Sequence, residues 1–440
     1  MTGTPGSGGD GGSTRERRIS EDDRSPEFEK PPRLIILSVV ASTFLVGFGG
    51  GIVFPIFPTI GTVLGISPVL VGVILSANRF SRLVSNAPAG AFVDAYGTRR
   101  PFVIGLGIQT IATVGYVVAL QSSLPGVWFF IARVLHGAGS ALVLATSYTI
   151  IADVTSPESR GTSMGLIRGG SILGFPTGLV IGGVISELAG NAEAFLFAAG
   201  FALIATLLGV ASVPETHVTE RDNRSLEPLN VDTSLPTVTL GCVNFGIWFG
   251  YLGVLLASLV LFLERADISV LGFGPQGTSG IFMGATILVE VVTMTVGGYI
   301  TDGRRSRVPT LLCSLCLFSA GLAILPWARS AELLIGACLM VGIGSGGTLG
   351  PLMALLADFT PSDRMGRASG SINVFSDIGG GLGPVIGLPL IDRIGFTVVY
   401  TGSAVVALFG AVCLLAGLYL QTGRLFPATG AITKRAEVDS

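Results

Sequence analysis

Residues 90–102 read Gly90-Ala-Phe-Val-Asp94-Ala-Tyr-Gly97-Thr-Arg99-Arg100-Pro-Phe102. One acid, two glycines and a pair of arginines are packed into a short connection between two long apolar stretches. A weaker copy of the pattern occurs in the second half of the chain, at Gly298, Asp302, Arg304, Arg305 and Arg307, again directly after an apolar run.

Outward from these two loops the chain is built for lipid. Of its 440 residues, 49% are apolar and only 12% charged, with a mean hydropathy of +0.73. A soluble chain carries roughly 25% charged residues. A helix needs about 20 apolar residues to cross a bilayer. Twelve such stretches can be marked, at about 33–55, 68–91, 101–121, 125–151, 161–187, 192–213, 237–263, 275–301, 308–327, 331–356, 367–390 and 396–420. They are long and continuous without period-two alternation, which predicts helices rather than a barrel. The 64 glycines fit helices whose backbones must approach closely in lipid, where small residues replace the missing hydrophobic drive.

Polar segments set the organisation. Residues 1–32 read as a disordered tail, 33–213 as a first bundle of six helices and 214–236 as a proline-containing linker. Residues 237–420 form a second six-helix bundle and 421–440 a short tail. Of 26 Lys and Arg residues, 19 fall in the tails and even-numbered connections, three in the opposite loops (Arg265, Arg329, Arg393) and four inside spans. The excess of positive charge predicts that both termini lie in the cytoplasm. All five cysteines, including the Cys313-x-x-Cys316 pair, fall within spans, where packing explains them better than a disulfide or a metal. No metal, cofactor or nucleic-acid partner is expected.

The two halves repeat. At an offset of 205 positions Gly137, Gly139 and Ser140 fall on Gly342, Gly344 and Ser345, and Ala152-Asp153 on Ala357-Asp358. Gly161, Gly165, Gly174, Gly178 and Gly182 fall on Gly366, Gly370, Gly379, Gly383 and Gly387, whereas the loops around Asp94 and Asp302 match at 208. A duplication of this kind implies two parallel six-helix repeats with a midplane site between them.

The residues Gly90, Asp94, Gly97, Arg99 and Arg100 match the G-x-x-x-D-x-x-G-x-[RK]-[RK] loop of the major facilitator superfamily, which the chain resembles over about residues 33–420. The resemblance implies an all-α membrane protein of twelve transmembrane helices in two pseudo-symmetric six-helix bundles, working by alternating access. In the family this loop helps latch the two bundles, so Gly90, Asp94, Gly97, Arg99, Arg100 and the copies Asp302, Arg304 and Arg305 are the expected latch. Spans five and eleven resemble the G-x8-G-x3-G-P-x2-G-G element of family antiporters. Gly174, Gly178 and Gly182 fit in span five, with Leu179 at the proline position, and Gly379, Gly383, Pro384 and Gly387 fit in span eleven. These are expected to pack helices, with the prolines bending them. Pro176 is a substitute kink in span five. Arg133, in Arg133-x-x-His136-Gly137-x-Gly139, resembles the family arginine linked to proton coupling; the alternative is a structural tie to neighbouring carbonyls. Asp153 with Arg160, and Asp358 with Asp363 and Arg364, resemble the family loops that face the latch.

Span two carries the most individual feature. Asn78, Arg79, Arg82, Ser85 and Asn86 fall at about 0°, 100°, 40°, −20° and 80° on a helical wheel, a polar stripe about 120° wide. Arg82 is about 18 Å from Asp94 along a helix, near the bilayer midplane. Charges at that depth face a cavity or a partner. At the 208 offset Arg82 corresponds to Glu290, and Asp377 lies at similar depth in span eleven. Because the family places span two beside span eleven and span five beside span eight, Asp377 is expected to pair with Arg79 or Arg82, and Glu290 with Arg168. Asn78, Arg79, Arg82, Asn86, Arg168, Trp248 and Tyr251 are the candidate substrate residues, with Phe48 and Asn244 as further lining. Arg133, Glu290 and Asp377 are the candidates for proton coupling; permanent structural ion pairs are the alternative.

The sequence therefore predicts a proton-coupled secondary transporter, not an enzyme, acting as a monomer in the plasma membrane on a small molecule, and favours efflux by antiport. Uptake of an anionic metabolite by symport is the alternative direction. A non-transporting membrane sensor is the alternative class, and no large regulatory domain supports it.

Overall fold

The computed structural model describes residues 31–155, 157–216, 231–301, 306–361 and 364–427, and gives only the backbone course at 157–162, 168 and 298–301. Nearly all of the described chain is helical, in twelve long helices. These are α1 (Pro32–Val63), α2 (Pro68–Tyr96), α3 (Arg99–Gln121), α4 (Pro125–Val154), α5 (Pro157–Leu188), α6 (Asn191–Ser212), α7 (Leu235–Ala266), α8 (Pro275–Thr301), α9 (Val308–Trp327), α10 (Ala331–Phe359), α11 (Met365–Ile394) and α12 (Phe396–Thr422). Eleven are long and apolar enough to cross a membrane; α2, with the polar stripe, is the exception. Several helices outrun their apolar stretches, α1 by eight residues. A helix satisfies its own backbone hydrogen bonds and need not end where its hydrophobicity does.

Proline at the first turn starts α1, α2, α4 and α7, where its missing N–H costs nothing. Three helices depart from a regular α course; the last turn of α9, Leu325–Trp327, is a 3₁₀ turn. Pro55 and Pro58 bend the second half of α1, after Ile52. In α7 the seven residues Phe249–Leu255 form a π-helical segment directly after Trp248; such segments are frequent at functional sites.

The packing has a pseudo-twofold. α1 packs on α5 and α6, α2 on α4, and α3 on α4 and α6; α7 packs on α11 and α12, α8 on α10, and α9 on α10 and α12. Every contact in the first set has its mate in the second. The halves meet through α2 with α11, α5 with α8, and the second halves of α1 and α7. Glycines make these crossings possible. A Cβ at Gly174 or Gly178 would overlap the Phe44 or Phe48 carbonyl of α1, and one at Gly379 would sit 2.5 Å from the Phe245 carbonyl of α7.

Among the described residues, the tight contacts between the halves lie at one end. At the end away from the termini, Gly72 lies on Pro384, Ser76 Oγ donates to the Gly381 carbonyl at 2.5 Å, and Gly183 and Gly280 lie on the Gln276 and Leu179 carbonyls. Towards the terminal face the described helices separate: Gly165, Gly169, Gly366 and Gly370 have open space where a Cβ would be, and Asn86 on the α2 stripe is exposed.

The two ends of the linker are fastened. At its start Glu215 accepts hydrogen bonds from Thr98 N (2.6 Å), Thr98 Oγ1 (2.9 Å) and Arg99 N (3.3 Å), capping α3. At its end Asp232 accepts from Ser234 N and Oγ and from Thr237 Oγ1, while its own N–H donates to Ser371 Oγ of α11. Burial pushes the Asp232 carboxyl up, but these donors and Arg367 outweigh it and hold the group below the usual carboxylate range.

Candidate functional site

The polar stripe of α2 meets α11 near the middle of both helices. Asp377 is 4% exposed, and its Oδ1 accepts from Arg79 Nη1 at 2.9 Å and from Arg82 Nη2. Both arginines thus share one carboxylate oxygen. The Arg79 guanidinium also lies 4.9 Å from the Trp248 ring centroid, a cation–π contact to α7, and passes Gly380, whose missing Cβ makes room for it. Asn244 of α7 donates to the Ile372 carbonyl (3.0 Å) and to Ser376 Oγ (2.5 Å), which fixes α11 beside its acid. α2, α7 and α11 therefore converge on a single ion cluster. Asn78 points elsewhere, its Nδ2 donating to His136 Nδ1 at 3.0 Å, and Asn86 is exposed on the open side.

Arg133 is 2% exposed and donates to the Ile74 and Leu75 carbonyls of α2 at 3.4 and 2.8 Å. This is the geometry of a tie between helices. His136, 3% exposed, keeps Nε2 without a partner among the described residues.

Glu290 sits near the middle of α8, 9% exposed, and accepts from Ser345 Oγ of α10 at 2.7 Å. The Tyr251 hydroxyl is beside it, short of good hydrogen-bond geometry. Its partners in the described structure are hydroxyls rather than a cation. The expected pairing with Arg168 lies outside the described side chains. Phe48 is fully buried and packs on Phe197 and Phe201 of α6, so it belongs to the first bundle's core and not to the cavity. Residue spacing marked Ser345 only as the repeat mate of Ser140 and gave no sign of its bond to Glu290, of the Ser76 contact or of the π-helical turn; both serines act through neighbours distant in sequence.

At the terminal face Asp94 is exposed, and Gly97 takes φ +79°, a left-handed turn that favours glycine, against the Glu215 carboxylate. Arg99 Nη2 donates to the Val210 carbonyl at 3.2 Å, and Arg100 is exposed. Thr216 Oγ1 bridges Thr98 Oγ1 and Asp153 Oδ2 at 2.8 and 3.0 Å. The mate of Asp153 behaves differently: Asp358 pairs with Arg307 Nη1 at 3.1 Å. Asp302, Arg304 and Arg305 lie outside the described residues.

The profile of the Major Facilitator Superfamily matches residues 39–384 and, again, 303–434. The chain is 24% identical over 366 residues to multidrug resistance protein 1 of Bacillus subtilis (strain 168), covering 81% of this chain and 90% of that protein. It is 25% identical over 389 residues to the multi-drug resistance efflux pump PmrA of Streptococcus pneumoniae, covering 84% and 92%. Among solved structures, a bacterial homologue of the human lysosomal transporter Spinster, crystallised in an inward-facing and unoccupied conformation, aligns with a TM-score of 0.69 at 14% identity, over 89% of this chain and 96% of that one. Twelve helices, a twofold packing of two bundles, a midplane ion cluster and a match across most of the sequence lead to one assignment: this multi-pass membrane protein belongs to the major facilitator superfamily of transporters.

Proposed function

We propose that the chain is a proton-driven exporter of a small organic compound, acting as a monomer in the plasma membrane. The observation that carries the reading is Glu290, a buried carboxylate in the bundle interior held by a hydroxyl. An ionisable group in the membrane interior is costly as an ion and marks a functional site by default, and uptake of a proton removes that cost, which is what a coupling group uses. The positive-charge distribution puts both termini and the 214–236 linker in the cytoplasm. In that orientation the described residues open inward, and Asp94 is exposed on that side. Solute enters from the cytoplasm as Glu290 releases its proton there. The bundles then rock about the α2–α11 and α5–α8 crossings, solute leaves outside, and Glu290 is reprotonated. The names of the relatives, a resistance protein and an efflux pump, support the outward direction.

The test is proton flux in proteoliposomes under an imposed pH gradient, with pooled lipophilic solutes. Proton movement opposite to solute, lost in Glu290→Gln, is the expected result. Protons moving with the solute would replace export by cotransport. Gradient-driven transport that survives Glu290→Gln would remove Glu290 from coupling.

A further inference from the structure

We infer that the transported solute is an organic anion, and that its anionic group binds Arg82. The inference rests on the transport reading above and names the chemistry of the same cavity.

Three guanidiniums with described side chains lie on α2 and α4. Arg133 is taken up by two backbone carbonyls and is almost wholly buried. Arg79 is held by Asp377, covered by Trp248 and packed against Gly380, its side chain 13% exposed. Arg82 reaches the same Asp377 oxygen through a single nitrogen, Nη2, and its side chain is 25% exposed. Two cations therefore share one anion. The other interior carboxylate, Glu290, is engaged by Ser345. An uncompensated cation at this depth is costly, and Arg82 lies towards the open side of the cluster, with Asn86 exposed about one turn further along the same stripe. A guanidinium carries five donors in a planar fork that fits a carboxylate in two parallel hydrogen bonds. Asp377 engages only Nη2 of that fork on Arg82.

With an anion bound, the count closes: Arg79 keeps Asp377 and Arg82 takes the solute. The half-buried Trp248, already stacked on Arg79, supplies an aromatic wall beside the charge. The fitting solute is thus a small amphipathic molecule, a carboxylate or similar group on an apolar or aromatic body. Asp377 is its built-in competitor, because both use Arg82.

The experiment is equilibrium binding without any gradient. The full-length protein, purified in detergent, is titrated with aryl-alkyl carboxylates from phenylacetate to 6-phenylhexanoate, each beside its matched amide and amine, and thermal stabilisation is read. At least one carboxylate is expected to bind on the order of tenfold more tightly than its amide and amine. Arg82→Gln should abolish that preference and Arg82→Lys should keep part of it. Asp377→Asn, which removes the competitor, should tighten carboxylate binding several-fold; this variant decides the matter if Arg82→Gln does not fold. Failure of every carboxylate to stabilise the protein, a preference for amines or amides, or weaker carboxylate binding in folded Asp377→Asn would overturn the inference. Because no gradient is used, anion binding without proton flux would remove the export reading and leave this one standing.

Discussion

α2 and α8 are mates under the pseudo-twofold, yet they join the two bundles by different means. α2 meets α11 through charge: Arg79 and Arg82 share Asp377. α8 meets α5 through close backbone, with Gly183, Gly280 and Gly284 against carbonyls and a valine, and through hydrogen bonds at the far end, where Ser186 Oγ donates to Gln276 Oε1 at 2.7 Å and Gly277 N to Glu187 Oε2 at 3.5 Å. At the position equivalent to Arg82, α8 carries Glu290, which turns back to Ser345 of its own bundle. Duplication kept the backbone scaffold and let the polar content diverge. One crossing is held by an ion cluster that a proton or an anion can rearrange; the other is a glycine seam without an ion pair among the described residues, fastened at its far end by hydrogen bonds.

The largest effect should come from removing the acid of the charged crossing. Asp377→Leu leaves two interior guanidiniums without a counter-ion, and loss of one partner of a buried pair costs about 3–5 kcal/mol. Its thermal midpoint in detergent should fall far more than that of Glu290→Gln, which retains an acceptor for Ser345. Equal losses would mean that the two crossings are not energetically distinct. Next comes the glycine seam. Gly280→Leu forces a side chain onto the Leu179 carbonyl, and overpacking of about 1–3 kcal/mol should shift the population away from the closed far end. Cysteines placed on the far side should then label faster, and unchanged labelling would show that the seam gives way without cost.

A smaller effect is expected at the linker's anchor. Asp232 is held below the usual carboxylate range, so its contribution to stability is present at neutral pH and is lost as the pH falls through its folded-state value. Asp232→Asn should lower stability by about 1 kcal/mol at pH 7, with the difference shrinking in acid. A pH-independent gap would assign the role to packing. The smallest structural effect belongs to Asp94→Asn. Asp94 is exposed in this conformation, so binding and melting should be unchanged while turnover slows. A wild-type turnover rate would end the latch role of its loop.

Much of the architecture was legible in the sequence because the constraint behind it is local. In hydrocarbon each backbone N–H and C=O must be bonded within its own helix, so apolar length alone marks a span. That logic located twelve helices, including α2, whose charges keep it below the apolar level of the other eleven. The helical period placed Arg79 and Arg82 on one face, and the repeat put Glu290 opposite Arg82 in register. Boundaries fared worse, as at α1, since hydropathy fades before the backbone does.

What only the tertiary structure decided is who meets whom. The sequence offered Asp377 a choice between Arg79 and Arg82; the close approach of α2 to α11, set by Gly72, Gly380 and Gly381, gives it both. It offered Phe48 as cavity lining, and the packing of α1 on α6 buries it. Ser345 beside Glu290, the π-helical turn after Trp248 and the gathering of the tight contacts at one end left no mark in residue spacing. Hydrogen bonds and ion pairs depend on distances to within an ångström, between residues as many as 305 positions apart. Helix formation depends on residues four apart. The sequence by itself therefore determined the helices and the faces they present, and the packing of one bundle against the other decided the site.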